Sequence, residues 1–150
     1  MDVVLDSSVL VGILSPNDRW HQQATDLWQA LKESGHTPLY MDCVISESVS
    51  VATRRLFEQK HATEIEALFN RLDNEFAAHT ITWVLPDVPR LYPEIISLMR
   101  SSGGELNFHD ALIALACRER HIPAIASFDA DFDQLAWLRR LATPADLSLA

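Results

Sequence analysis

Short apolar runs alternate with longer amphipathic stretches along the chain, and that alternation predicts its elements. Residues 2–6, carrying Val3-Val4-Leu5, predict a first strand. Ser7 or Ser8 can cap the short helix that continues Val9-Leu10-Val11-Gly12-Ile13-Leu14, and Pro16-Asn17-Asp18 predicts a turn. Ala24, Leu27, Trp28 and Leu31 recur at helical spacing, so Trp20 to Glu33 predicts a helix that Ser34-Gly35 ends. Residues 38–41 predict a second strand. A helix from Cys43 to about Glu58 follows, its main apolar face carrying Ile45, Val49, Ala52 and Leu56. A second stripe of Val44 and Val51 flanks Glu47. The next helix, about Ala62 to Ala77, turns Ile65, Leu68, Phe69, Leu72 and Phe76 inward and Glu64, Glu66, Arg71 and Asp73 to solvent.

Ile81 to Leu85 predicts a third strand, Pro86 to Pro89 a loop, and Leu91 to Ser101 a helix stopped by Gly103-Gly104. Asn107 to His121 is the most apolar helix and is expected at the centre of the fold. Residues 123–127 predict the next strand, with a loop at Asp129-Ala130-Asp131 and a short helix around Phe132–Trp137. Leu138 to Leu141 predicts a last edge strand. Strands alternating with helices imply an α/β protein built on a parallel sheet. With no linker, repeat or low-complexity segment, residues 1–150 are expected to form a single domain.

Four carboxylates stand where a predicted strand ends or a helix begins: Asp6, Glu47, Asp110 and Asp129. In an open parallel sheet, ligands bind beyond the carboxyl ends of the strands. Acids gathered there repel one another unless cations neutralise them, and hard oxygen ligands suit Mg²⁺ or Mn²⁺. Each acid also has a local role available to it. Asp6 suits a strand-to-helix turn, and Glu47 suits a solvated helix surface. Asn107 with Asp110 resembles a capping box with Asp in place of Glu, and one carboxylate oxygen can cap while the other binds a cation. Asp131 with Gln134 reads as an N-cap and its third-position partner, leaving Asp129 as the ligand and Asp131 as an auxiliary candidate. Asp133 is assigned to the surface. Ser8 is placed to hydrogen-bond a ligand or a cation-bound water.

Composition narrows the functional classes. The net charge of −9 argues against a general basic surface for nucleic acid, although bound divalent cations would reverse the sign locally. Arginine supplies 10 of the 12 basic residues. Arg54-Arg55, Arg118/Arg120 and Arg139-Arg140 suit a phosphate path or, more simply, a solvated surface. Cys43 and Cys117 fit no zinc pattern and are expected as buried thiols. The four glycines leave no phosphate-cradling loop. No apolar run is long enough to span a membrane, and a chain opening on an acid and a strand is expected to lack a signal peptide, hence a cytoplasmic location. A phosphoacceptor domain would carry a lysine after a late strand, but the lysines here are Lys32 and Lys60. A dehalogenase-like phosphatase would carry Asp-x-Asp where this chain has Asp6-Ser7-Ser8.

Four segments carry a family resemblance: Val4-Leu5-Asp6-Ser7-Ser8-Val9-Leu10; Ser46-Glu47; Leu106-Asn107-Phe108-His109-Asp110-Ala111-Leu112-Ile113-Ala114; and Ser127-Phe128-Asp129-Ala130-Asp131-Phe132-Asp133. In this order and spacing the chain resembles the PIN-domain ribonucleases, among them the VapC-like toxins of type II toxin–antitoxin modules. The resemblance implies a three-layer α/β/α sandwich with a central parallel sheet of four to five strands. It maps the family's acids onto Asp6, Glu47, Asp110 and Asp129, and its small hydroxyl residue onto Ser8. It further implies Mg²⁺- or Mn²⁺-dependent cleavage of RNA, a homodimer, and a small antitoxin protein as partner. A housekeeping PIN nuclease and a non-catalytic PIN-like scaffold binding RNA or protein are the alternatives.

Overall fold

The computed structural model describes residues 1–149; Ala150, the last residue of the expected domain, lies outside the described residues. Five parallel strands form one sheet: β1 (Asp2–Leu5), β2 (Thr37–Met41), β3 (Ile81–Thr82), β4 (Ala124–Ala126) and β5 (Arg139–Leu141). Their order is β3-β2-β1-β4-β5. The chain thus builds outward from β1 in one direction through β2 and β3, then returns to add β4 and β5 on the other side. The order reverses between β1 and β4, and the crevice beyond their carboxyl ends is where such a sheet accommodates a ligand.

The helices are α1 (Ser7–Leu14), α2 (His21–Glu33), α3 (Asp42–Glu58), α4 (Ile65–Glu75), α5 (Val88–Ser101) and α6 (Phe108–Glu119). They complete the α/β sandwich, as a parallel sheet requires when both its faces are apolar. Val3, Val4 and Leu5 of β1 and the whole of β4 are buried. The apolar run of α6, Ala111 to Cys117, is buried along its full length, as its composition predicts for a central helix. α1 and α2 approach closely at Gly12, where an added Cβ would stand 2.8 Å from that of Ala24. The two thiols are buried and free, and burial pushes each up to about 12, so neither is ionised near neutral pH.

Several local expectations are corrected. The third strand stops at Thr82 rather than reaching Leu85, because Asp42 claims the backbone of the segment that follows. The buried Asp42 carboxylate accepts the N–H of Val84 at 2.9 Å and of Leu85 at 3.1 and 3.2 Å, and a turn of 3-10 helix (Leu85–Asp87) begins there. On α3 the most buried side chains are Cys43, Val44, Ser48 and Ala52; the expected face of Ile45, Val49 and Leu56 is only half-buried. In α4 only Leu68 is buried, Phe69 is exposed, and Arg71 reaches inward to donate to the Ile13 carbonyl at 2.6 Å. The short helix near the C-terminus is 3-10 and spans Ala130–Gln134, with Asp129 rather than Asp131 as its N-cap. No helix among the described residues is long and apolar enough to cross a membrane.

Candidate active site

Asp6 is the N-cap of α1, with extended backbone, immediately beyond β1. Its N–H continues the ladder, donating to the Ala126 carbonyl of β4 at 2.9 Å. Its carboxylate is 4% exposed. Oδ2 accepts the Ser8 hydroxyl at 2.7 Å, the Ser127 hydroxyl at 2.8 Å and the Ser8 N–H at 3.3 Å. Oδ1 accepts no hydrogen bond among the described residues. As N-cap the acid meets the backbone donors and partial positive charge of the helix N-terminus.

Ser127, at the end of β4, was not foreseen as a site residue. Its buried hydroxyl donates to Asp6 and accepts the Asp129 N–H at 3.0 Å, while Ser8 accepts the Phe128 N–H at 3.0 Å. The two serines lock the segment after β4 to the segment after β1. A lone hydroxyl closing the wholly apolar run Ala124-Ile125-Ala126 was the signal that could have found it. Asp129 in turn uses Oδ1 to accept the Asp131 N–H at 2.9 Å, and its Oδ2 accepts none among the described residues.

Asp110 forms the expected capping box on α6. Its N–H donates to Asn107 Oδ1 at 3.0 Å and its Oδ2 accepts the Asn107 N–H at 2.9 Å, leaving Oδ1 without a donor. Its carboxyl is pushed up from 3.8 to about 6. Burial is the largest cause and the Asn107 N–H opposes it, while the charges of Asp6, Asp129 and Glu47 push the same way as burial. Asp6, Asp129 and Glu47, from three distant parts of the chain, thus each bear on Asp110 electrostatically. Asp131 is half-buried and is itself pushed up, first by Asp129. Glu47 stands more in the open on α3, its Oε2 3.8 Å from His109 Nδ1.

These acids share an end of the sheet at electrostatic range. No group of three among the described residues is drawn close enough to form a ready-made metal site. Mg²⁺ does not require such a cage, since it keeps several of its waters and is often held by one or two carboxylates. The oxygen chemistry suits it as well, since Asp6, Asp110 and Asp129 each have one oxygen fixed by protein donors and one left over. The spare oxygens open to solvent, because Ser48 Oγ alone is a buried polar side-chain atom without a partner among the described residues. Among the described residues no basic side chain forms an ion pair with Asp6, Asp110 or Asp129. Arg55 pairs with Asp18, Arg118 with Glu94, Arg120 with Asp87, and Arg140 with Asp133, which is the surface role expected for them. A cavity of about 580 Å³ lies elsewhere, beyond the C-terminal end of α1 among Leu14, Asp18, Arg55, Leu68 and Arg71.

The PIN domain family model matches residues 3–138, which takes in β1, the Asp6 turn, α6 and the Asp129 loop. The chain belongs to the PIN domain family. Among solved structures, this PIN domain resembles that of Mycobacterium tuberculosis VapC20, described as a toxin that cleaves the sarcin-ricin loop. The two are 20% identical, with a TM-score of 0.65 over 90% of this chain and 95% of that one. At that identity the likeness establishes the shared α/β sandwich. No curated protein matches the chain significantly.

Proposed function

We propose that this PIN domain is a metal-dependent endoribonuclease, and that it serves as the toxin of a toxin–antitoxin pair. The observation that carries the enzymatic reading is the set of half-committed carboxylates. Asp6, Asp110 and Asp129 each hold one oxygen to the protein and leave one free, Asp6 and Asp129 bear on Asp110 electrostatically at the sheet's switch point, and no arginine or lysine forms an ion pair with them among the described residues. Uncompensated carboxylates brought together in this way are costly to the fold and serve best as ligands of a divalent cation. Asp6, Asp110 and Asp129 would hold Mg²⁺ or Mn²⁺, with Glu47 completing the site or reaching a second ion through water. A bound ion supplies the positive charge that acidifies a water and offsets charge on the cleaved phosphodiester.

The remaining parts are the chain's own. Ser127 and Ser8 orient Asp6 and carry the Asp129 loop with it. Asn107 keeps the Asp110 carboxylate turned across the start of α6. His109 stands beside Glu47, its Nδ1 3.8 Å from Oε2. With water as the nucleophile, the 2′-hydroxyl is not required, so the expected ends are 5′-phosphate and 3′-hydroxyl.

The toxin reading rests on fold likeness to VapC20, a protein described as a toxin, together with the near-complete overlap of the two chains. It brings with it an RNA substrate, a small antitoxin protein, a homodimer and a cytoplasmic place of action. The test is cleavage of RNA by the purified chain with Mg²⁺ or Mn²⁺, in parallel with Asp6→Asn, Asp110→Asn and Asp129→Asn. Each substitution is expected to abolish cleavage in a chain that still folds. Near-normal cleavage by all three variants would reject the assignment. Expression with and without a neighbouring small open reading frame tests the toxin role, with growth arrest expected only without it.

A further inference from the structure

Resting on the nuclease reading, we infer that Trp20, stacked on Phe128 with Arg19 alongside, is a platform for a base of single-stranded RNA next to the cleaved bond. Phe128 sits between Ser127 and Asp129, and its N–H is fixed by Ser8, so its ring is carried by the backbone that positions two of the acids. The Trp20 indole lies parallel to that ring, with centroids 5.2 Å apart and planes at 26°. Trp20 nevertheless remains 38% exposed, so its ring keeps surface for a further stacking partner.

The Arg19 guanidinium lies 5.0 Å from the Trp20 ring centroid and belongs to no ion pair among the described residues, unlike most arginines of the chain. In a protein of net charge −9, a guanidinium in no ion pair among the described residues and set beside the exposed Trp20 ring is suited to a phosphate. An exposed ring and an adjacent free cation are the two parts from which single-strand binding surfaces are made. A base would stack on the indole while Arg19 turns from the ring to the phosphate of the same nucleotide. Stacking tolerates any base, so the platform would position a strand without choosing its sequence. The reading favours unpaired RNA, since a base inside a duplex already has its stacking partners.

The test uses the full chain and a short single-stranded RNA that the wild type cleaves, comparing wild type with Trp20→Ala, Trp20→Phe and Arg19→Ala. Loss of one base–aromatic stack corresponds to roughly a 5- to 150-fold change. Trp20→Ala is expected to raise KM within that range while kcat stays within about threefold, Trp20→Phe to restore most of it, and Arg19→Ala to raise KM and flatten its dependence on salt. Because Trp20→Ala could act by loosening the fold, the same RNA is also made abasic at one position at a time. At one position near the cut the abasic loss should match that of Trp20→Ala, and the two losses should not add. Unchanged KM in Trp20→Ala, or fully additive losses at every position, overturns the platform while cleavage itself upholds the nuclease. A Trp20→Ala chain that cleaves normally but no longer binds a co-expressed protein makes the patch a protein interface instead. Absence of cleavage by the wild type overturns the nuclease reading and the platform with it.

Discussion

Asp110→Asn should make the metal-free protein more stable at neutral pH, although it removes a residue proposed as essential. The carboxyl is raised from 3.8 to about 6, so above pH 6 the fold holds an ionised group it would rather keep neutral. At about 1.4 kcal/mol per pH unit, the displacement from 3.8 to about 6 costs the native state on the order of 3 kcal/mol at pH 7. The sign follows from proton counting. Between pH 4 and 6 the folded protein holds a proton that the unfolded chain has lost, so stability falls as pH rises through this window and is flat above it. Asparagine keeps an oxygen to accept the Asn107 N–H and gives up only the charge assistance, about 1 kcal/mol. The net gain is then about 1–2 kcal/mol at pH 7, or roughly 3–8 °C in midpoint for a chain of this length. The assay is thermal unfolding of both proteins in excess chelator from pH 4 to 8. The difference should be largest above pH 6 and vanish near pH 4. A variant no more stable than wild type at pH 7, or a difference that does not shrink on acidification, refutes the reasoning.

Three further outcomes follow from the same geometry. At limiting Mg²⁺, RNA cleavage should decline as pH falls toward and below about 6, the metal-free value for Asp110, because a proton competes with the cation for that carboxylate, and added Mg²⁺ should move the decline to lower pH; a rate flat from pH 7.5 to 5 at limiting Mg²⁺ would contradict this. Ser127→Ala removes a donor to Asp6 and leaves the Asp129 N–H unpaired, so it should cost about 1–3 kcal/mol in urea unfolding and lower cleavage about 10- to 100-fold. Asp42→Ala should cost at least as much stability, since it strands the Val84 and Leu85 N–H groups, yet leave the response of the midpoint to Mn²⁺ unchanged.

What could be read from the sequence was what is determined locally. Asp6 and Asp129 are N-caps and Asp110 closes a capping box on Asn107, and such motifs are set by the few residues around them, so their placement at element junctions was visible in the chain. The same locality explains the success with β1, α2 and α6, whose apolar patterns admit one interpretation. α3 is different, because its two stripes overlap on the helix surface, and contact with the rest of the fold decides that Val44 and Ala52 are buried more deeply than Ile45 and Leu56. The early end of β3 was hidden for a similar reason, since nothing in Ile81 to Leu85 announces that Asp42 will take two of its N–H groups. Glu47 was marked by its place near a helix start and by the family resemblance, but its closeness to His109 depends on how α3 and α6 are held. Ser127 is a tertiary feature too, for its partners Asp6 and Ser8 are more than a hundred residues away in the chain.

Calorimetric titration of the wild-type chain with Mn²⁺ bears most directly on whether these carboxylates form one cation site. The account predicts binding by the wild type, weakened at least about tenfold by Asp6→Asn, Asp110→Asn or Asp129→Asn alone, and left intact by Asp133→Asn, whose carboxylate is occupied by Arg140. A wild-type chain that takes up no Mn²⁺, or one whose affinity is indifferent to all three substitutions, would contradict it.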